Sequence, residues 1–224
     1  MSDEYRYAHP HPAVTVDVVI FTIRDRQLKL LLIRRGVDPH RGKWALPGGF
    51  VQMDESLDEA ARRELEEETG VTGVFLEQLY TFGEPKRDPR ERVITVAHYA
   101  LVPSDKLQLR AATDAEAVGW FALDDLPPLA FDHAEIVKVA HQRLVAKLDY
   151  STIALAFMPK RFTLSDLQEV YEIIRREDVD KRNFRKWVLA LGHIEETAEE
   201  RRGGVHRPAR LYRAKHPGRI SIIK

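Results

Sequence analysis

Residues 56–69 read SLDEAARRELEEET, without Gly or Pro and rich in Ala, Leu, Glu and Arg. Such a composition makes a helix, and Gly70 follows where a left-handed cap is expected. At about 100° per residue, Leu57, Ala60, Ala61 and Leu65 share a narrow arc, the stripe that faces a core. Glu64, Glu67 and Glu68 fall on that same arc, while Glu59, Arg62 and Glu66 point away. Three carboxylates are therefore expected to face inward. Like charges three or four apart cost roughly 0.2–0.5 kcal/mol per pair, and the dipole disfavours acids in the last turns. Locally inconsistent sequence of this kind marks functional sites.

A divalent cation answers both objections. Mg²⁺ and Mn²⁺ take hard oxygen ligands, usually one or two carboxylates completed by water and substrate phosphates. Arg63, four residues before Glu67, is placed to hold a glutamate by a charged pair. Gly48 and Gly49 let the backbone come close, so a carbonyl oxygen can join the metal shell. The competing reading is a solvated acidic face, weaker here because of the inward direction and the preceding Pro-Gly-Gly.

The same residues carry a resemblance. The pattern G-x5-E-x7-R-E-U-x-E-E-x-G-U (U apolar) is met by Gly49, Glu55, Arg63, Glu64, Leu65, Glu67, Glu68, Gly70 and Val71, and it resembles the Nudix box. The resemblance implies an α/β fold, an α/β/α sandwich with a mixed sheet. It also implies hydrolysis, dependent on Mg²⁺ or Mn²⁺, of a nucleoside diphosphate linked to another group. It makes Glu64, Glu67 and Glu68 the metal ligands, with the Gly48 carbonyl often a further one, and in some members makes Glu64 the general base instead. A further acid often lies outside the box; Glu116, Glu84 and Asp88 are the candidates. The charged loop 83–91, GEPKRDPRE, offers Arg87, Arg90 and Asp88 as substrate-binding residues. The segment around it resembles Nudix proteins that act on ADP-ribose-like compounds. His133, with no second ligand in view, reads as structural.

Around the helix, residues 13–23 and 28–34 read as a strand hairpin. Residues 43–50 read as a short strand entering a Pro-Gly-Gly loop, and residues 74–82 and 92–102 as further strands. Asp132-x-x-Glu135 looks like a capping box opening a helix to about Leu148. The chain has 224 residues, no Cys and equal numbers of acids and bases. The balance hides a split: residues 160–224 hold 16 Lys+Arg against 10 Asp+Glu, hence +6, and the remainder is −6. Opposite charge on two parts suggests two domains with different partners, divided as 1–150 and 151–224. The early acidic pair without a following apolar run is no secretory signal, and the most apolar early segment holds Asp17. A cytoplasmic protein without membrane contact is expected.

In the basic part, Thr163-x-x-Asp166 caps a helix whose stripe is Leu167, Val170, Tyr171 and Ile174. A short turn leads to a second helix from about Lys181 to Leu191, with Phe184, Trp187, Val188 and Leu191 buried. Lys181, Arg182, Arg185 and Lys186 lie on or beside its outer face. A strand pair follows, its Gly-Gly tip ringed by Arg201, Arg202, Arg207 and Arg210. This is the plan of a winged helix-turn-helix, with those eight cations toward double-stranded DNA. Nearly the whole chain resembles the Nudix-related transcriptional regulators of bacterial NAD metabolism. The carrying segments are HPAVTVDVV, FTLSDLQEVYE, DKRNFRKWV and RRGGVHRPARLYR. The resemblance implies an ADP-ribose sensor that binds operator DNA as a homodimer. Its box is intact, which leaves hydrolysis open. The alternative is a metal-dependent pyrophosphohydrolase whose C-terminal part serves dimerisation or another role.

Overall fold

The computed structural model describes residues 8–70, 72–104, 115–201 and 208–223. A seven-stranded mixed sheet forms from β1 (Ala13–Arg24), β2 (Gln27–Arg35), β3 (Trp44–Ala45), β4 (Gly48–Phe50), β5 (Phe75–Phe82), β6 (Val93–Leu101) and β7 (Ala115–Ala122). Its order is β3-β2-β1-β6-β5, with β4 on β1 and β7 on β2. β1 and β6 run parallel; the other pairs are antiparallel. Val, Ile and Leu dominate β1 and β2 because these strands are covered on both faces.

On one face lies α1 (Leu57–Thr69). Ala60, Ala61 and Leu65 pack there against Val16, Val18, Ile20 and Leu31. Ser56 and Glu59 form a capping box at its start, and Gly70 ends it at φ 65°. On the other face lies α2 (His133–Tyr150), burying Ile136, Ala140, Leu144 and Leu148 against Val19, Phe21, Leu30 and Leu32. The sheet sandwiched between two helical layers is the expected α/β/α arrangement.

The expected capping box at the start of α2 is absent. Asp132 makes no capping bond, because Arg87, 45 residues away, takes both of its oxygens. A long-range ion pair has overridden a local motif. The expected Pro-Gly-Gly loop is in part a strand, since Gly48–Phe50 pairs with Asp17, Val16 and Thr15 of β1.

After α2 a 3₁₀ turn (Ile153–Phe157) leads to α3 (Leu164–Arg175), α4 (Lys181–Ala190) and the hairpin β8 (Ile194–Arg201) with β9 (Ala209–Ala214). Thr163 and Asp166 form the expected capping box. One apolar core runs without a break from Phe21 and Leu30 through Leu144, Ile153 and Phe157 to Leu167, Tyr171, Phe184 and Tyr212. The junction is therefore no exposed linker: Ser151, Thr152, Ile153 and Ala154 are buried. The C-terminal segment clamps it, with Thr152 N donating to Ser221 O and Ile223 N donating to Tyr150 O.

Candidate functional site: a carboxylate cleft and a basic helix

Arg63 organises the acidic end of α1. Its Nε and Nη2 donate to the two oxygens of Glu55 at 3.0 and 2.7 Å, and its Nη1 donates to Glu64 Oε1 at 2.6 Å. Nη1 also reaches Glu67 Oε2 at 3.4 Å, and Nη2 the Phe50 carbonyl at 3.3 Å. Two neighbouring acids respond in opposite senses. The Arg63 hydrogen bond holds the Glu55 carboxyl down at about 2. Burial pushes the Glu64 carboxyl up, against the pull of Arg63. A side chain on Gly49 would collide with the Glu64 carboxylate, and one on Gly48 with the Val16 carbonyl. The two glycines let β4 and the glutamate share one narrow space.

Glu64 and Glu68 are buried at 7% exposure each, as the helical arc predicts. Glu67 departs from the expectation: its side chain is 53% exposed. Its position at the edge of the arc, with Arg63 one turn earlier, turns it to the cleft mouth instead of the core. Among the described residues no three His, Cys, Asp or Glu side chains converge closely enough to hold a metal as they stand.

Loop 83–91 folds over the same place. The buried Arg87 guanidinium bonds both oxygens of Asp132, at 2.9 and 2.7 Å, and reaches Asp17 Oδ2 at 3.4 Å. Asp17 Oδ1 lies 3.4 Å from His133 Nε2. His133 Nδ1 accepts from Leu46 N at 2.9 Å, so the other ring nitrogen carries the proton. Burial lowers the His133 pKa, and the neutral ring ties the Pro-Gly-Gly turn to α2, the structural role expected of it. Asp88 is occupied by the Arg90 guanidinium and backbone N–H, which hold its carboxyl low. That occupation makes it a poor proton acceptor.

A single cleft of about 420 Å³ gathers Gly48, Arg63, Glu64, Glu67, Glu68, Arg87, Asp88 and Arg90. These come from the box and from a loop that begins twelve residues beyond it. The cleft also takes Asp17, Arg35, Phe131 and His133. Asp17 had a signal, as the single charge in the apolar run of β1; Arg35 and Phe131 had none. Glu84 borders a neighbouring cleft. Glu116 stands on β7, but its side chain lies outside the described residues.

In the basic part, Lys181, Arg182, Arg185 and Lys186 are exposed on α4, and among the described residues none of the four forms an ion pair. The hairpin differs. Arg201 is bound by Asp166, at 3.0 and 2.9 Å, and Arg210 by Glu196 at 2.6 Å. Among the described residues, of the β8 glutamates only Glu196 meets an arginine that the sequence put toward DNA; Glu195 holds Arg213 and Glu199 holds Arg161. Arg202 and Arg207 lie outside the described residues.

Comparison with known proteins agrees with this two-part anatomy. Residues 12–140 match the NUDIX domain and residues 154–214 the NrtR DNA-binding winged helix domain. The ADPR responsive transcriptional repressor NtrR of Acinetobacter baylyi is 39% identical, over 92% of this chain and 83% of its own. An ADP-ribose pyrophosphatase of Methanocaldococcus jannaschii is 42% identical over 57% of this chain and 72% of its own. The crystal structure of Shewanella oneidensis NrtR complexed with a 27mer DNA superposes with TM-score 0.82 at 38% identity, covering 90% of this chain and 93% of that one.

Proposed function

The chain belongs to the Nudix family, in the group that carries an NrtR winged helix, and from this we propose that it is a DNA-binding transcriptional repressor whose Nudix domain binds ADP-ribose. The carrying observation is the cleft that places the box glutamates beside Arg87 and Arg90, while α4 presents cations with no ion-pair partner among the described residues. Supporting it, the Nudix domain of Shewanella oneidensis NrtR has a cocrystal structure with ADP ribose, at 39% identity over 64% of this chain and 95% of that one, TM-score 0.57. On the DNA side, α4 is the second helix of the pair and enters the major groove, its cations meeting phosphates. A homodimer sets two such helices on two half-sites. No helix among the described residues is long and apolar enough to cross a membrane.

The same cleft supports hydrolysis. Its donors are hard oxygens of the kind Mg²⁺ and Mn²⁺ accept. Glu64 and Glu68 are already buried side by side, and Gly49 leaves room for the carboxylate; these two, with Glu67 and the Gly48 carbonyl, would hold the ion. Once bound, it supplies charge stabilisation of the diphosphate. For that Arg63 must release Glu64 and keep Glu55. Arg87 and Arg90 orient the diphosphate. The attacking water forms a P–O bond as the bridging P–O bond breaks, and a carboxylate takes its proton.

The test is AMP release from ADP-ribose with Mg²⁺, beside retardation of duplex DNA from the upstream region of its own gene neighbourhood. Glu64→Gln and Glu68→Gln should abolish release and leave retardation intact. Unchanged turnover in both variants rejects the site; no retardation at low salt without nucleotide rejects the regulator.

A further inference from the structure

The helix pair α3–α4 is one rigid body. The Tyr171 ring meets those of Phe184 and Trp187 at 5.2 and 5.5 Å. Glu172 Oε1 accepts from Val179 N at 3.1 Å and from Gln168 Nε2, which also donates to Val179 O at 2.9 Å. The turn between the helices is thereby fixed to α3, so whatever tilts α3 tilts α4.

Two ion pairs tie α3 to the sheet. Arg26 Nε lies 3.2 Å from Glu169 Oε1 of α3, and Arg176, the cap of α3, pairs with Asp124. Arg26 sits in the β1–β2 turn and Asp124 just after β7; Leu123 N, donating to Leu28 O at 2.9 Å, joins the two segments. Both attachments therefore stand at one end of the β2–β7 ladder. At its other end is Arg35, which lines the glutamate cleft.

Both arginines occupy unfavourable backbone. Their φ angles are 57° and 60°, in the left-handed region that glycine enters without steric cost. The two-residue turn Asp25-Arg26, with φ positive at both positions, is of the kind that favours Asp-Gly. A left-handed helix cap favours Gly as well, and α1 has Gly70 there. The pairs themselves add little to stability, because the Arg26 and Arg176 side chains are 81% and 52% exposed. Local strain kept without a return in stability marks function.

We propose that Arg26–Glu169 and Asp124–Arg176 form a latch that sets the angle of α3 and α4 on the Nudix domain, and that cleft occupancy reaches the DNA-binding helix through it. These four are positioning residues; none touches nucleotide or DNA. The inference rests on the repressor reading above and adds the contacts that carry its regulation. β2 and β7, hydrogen-bonded along their length, transmit a displacement at Arg35 to the latch. One exposed pair biases an equilibrium by roughly two- to fivefold, so two suffice for a fivefold response.

Binding of the full-length chain to the upstream duplex in EDTA, with and without saturating ADP-ribose, tests it. The readout is the ratio of the two DNA affinities, from which the direct effect of altered surface charge cancels. Wild type should give at least fivefold. Arg26→Gly with Arg176→Gly should bring the ratio below twofold, while Tm holds or rises and the ADP-ribose Kd without DNA stays within twofold. Asp124→Arg alone should lower the ratio about twofold, and adding Arg176→Asp should restore it. A wild-type ratio in the double glycine variant, or no restoration by the exchange of charges, overturns the latch while the wild-type response upholds the repressor reading. A wild-type ratio near one overturns both.

Discussion

The carboxylate cleft and the outer face of α4 are both densely charged, yet they treat charge in opposite ways. In the cleft, Arg63, Arg87 and Arg90 are each engaged with acids of the same domain. On α4, Lys181, Arg182, Arg185 and Lys186 are exposed and without an ion pair among the described residues. Engaged and half-buried charge is expensive to move but geometrically fixed, which suits a small ligand. Exposed, solvated cations cost little to hold and exchange counterions freely, which suits a polyanion. The hairpin sits between these extremes: Arg201, Arg210 and Arg213 are exposed but already held, by Asp166, Glu196 and Glu195.

The largest effect should come from breaking the cleft's central cation. Arg63→Ala leaves Glu55 and Glu64 without their partner. Of the two acids Glu64 is the buried one, and a buried carboxylate left without its partner lowers Tm by several degrees in a chain of this size. Calorimetric melting checks it, and a shift of a degree or two would show that the pairing is superficial. Next, Arg182→Ala with Lys186→Ala should weaken DNA binding at least tenfold and lower the log-salt slope by about two, with ADP-ribose affinity unchanged. A smaller effect is expected in the hairpin. Arg210→Ala should change DNA affinity less than threefold, because Glu196 already holds the guanidinium, whereas Glu196→Gln should strengthen binding by a similar factor. A loss with Arg210→Ala equal to that of the α4 pair would erase the distinction drawn here.

The smallest is in pH. The folded-state pKa of Glu55 lies below its ordinary value, at about 2. Its stabilisation is therefore present above pH 4.5 and lost as pH falls toward 2. Glu64 runs the other way: its raised pKa favours the protonated form, so its contribution is present below pH 4.5 and lost as pH climbs through the raised value. Melting curves of Glu55→Gln should lack the acid loss between pH 4.5 and 2 that wild type shows.

Much of this was legible in the chain because the signals are local. The box spacing, the capping pair Thr163 and Asp166, the stripes of α3 and α4 and the exposed cations of α4 depend on neighbours within a turn or two. What was not legible depends on distant partners. Asp132 has the sequence of a capping residue, but Arg87 claims it from 45 positions away. Glu67 lies on the core arc of α1, but exposure follows where the sheet ends, and the mouth of the cleft is open there. The hairpin arginines read as free until the pairing of β8 with β9 sets Glu196 beside Arg210. Phe131 offers no local sign of its left-handed backbone, which the surrounding hydrogen bonds impose. The continuous core across the junction, too, needs the packing of α2 on α3 to be seen.

The central claim is that the ligand in the acidic cleft and the DNA on α4 are read by one protein through that shared core. Equilibrium binding of the operator duplex at fixed salt, with and without saturating ADP-ribose and with EDTA present, tests it directly. DNA affinity should change at least fivefold, and DNA should change ADP-ribose affinity by the same factor, as linkage between two sites requires. Equal DNA affinity in both conditions would contradict the account.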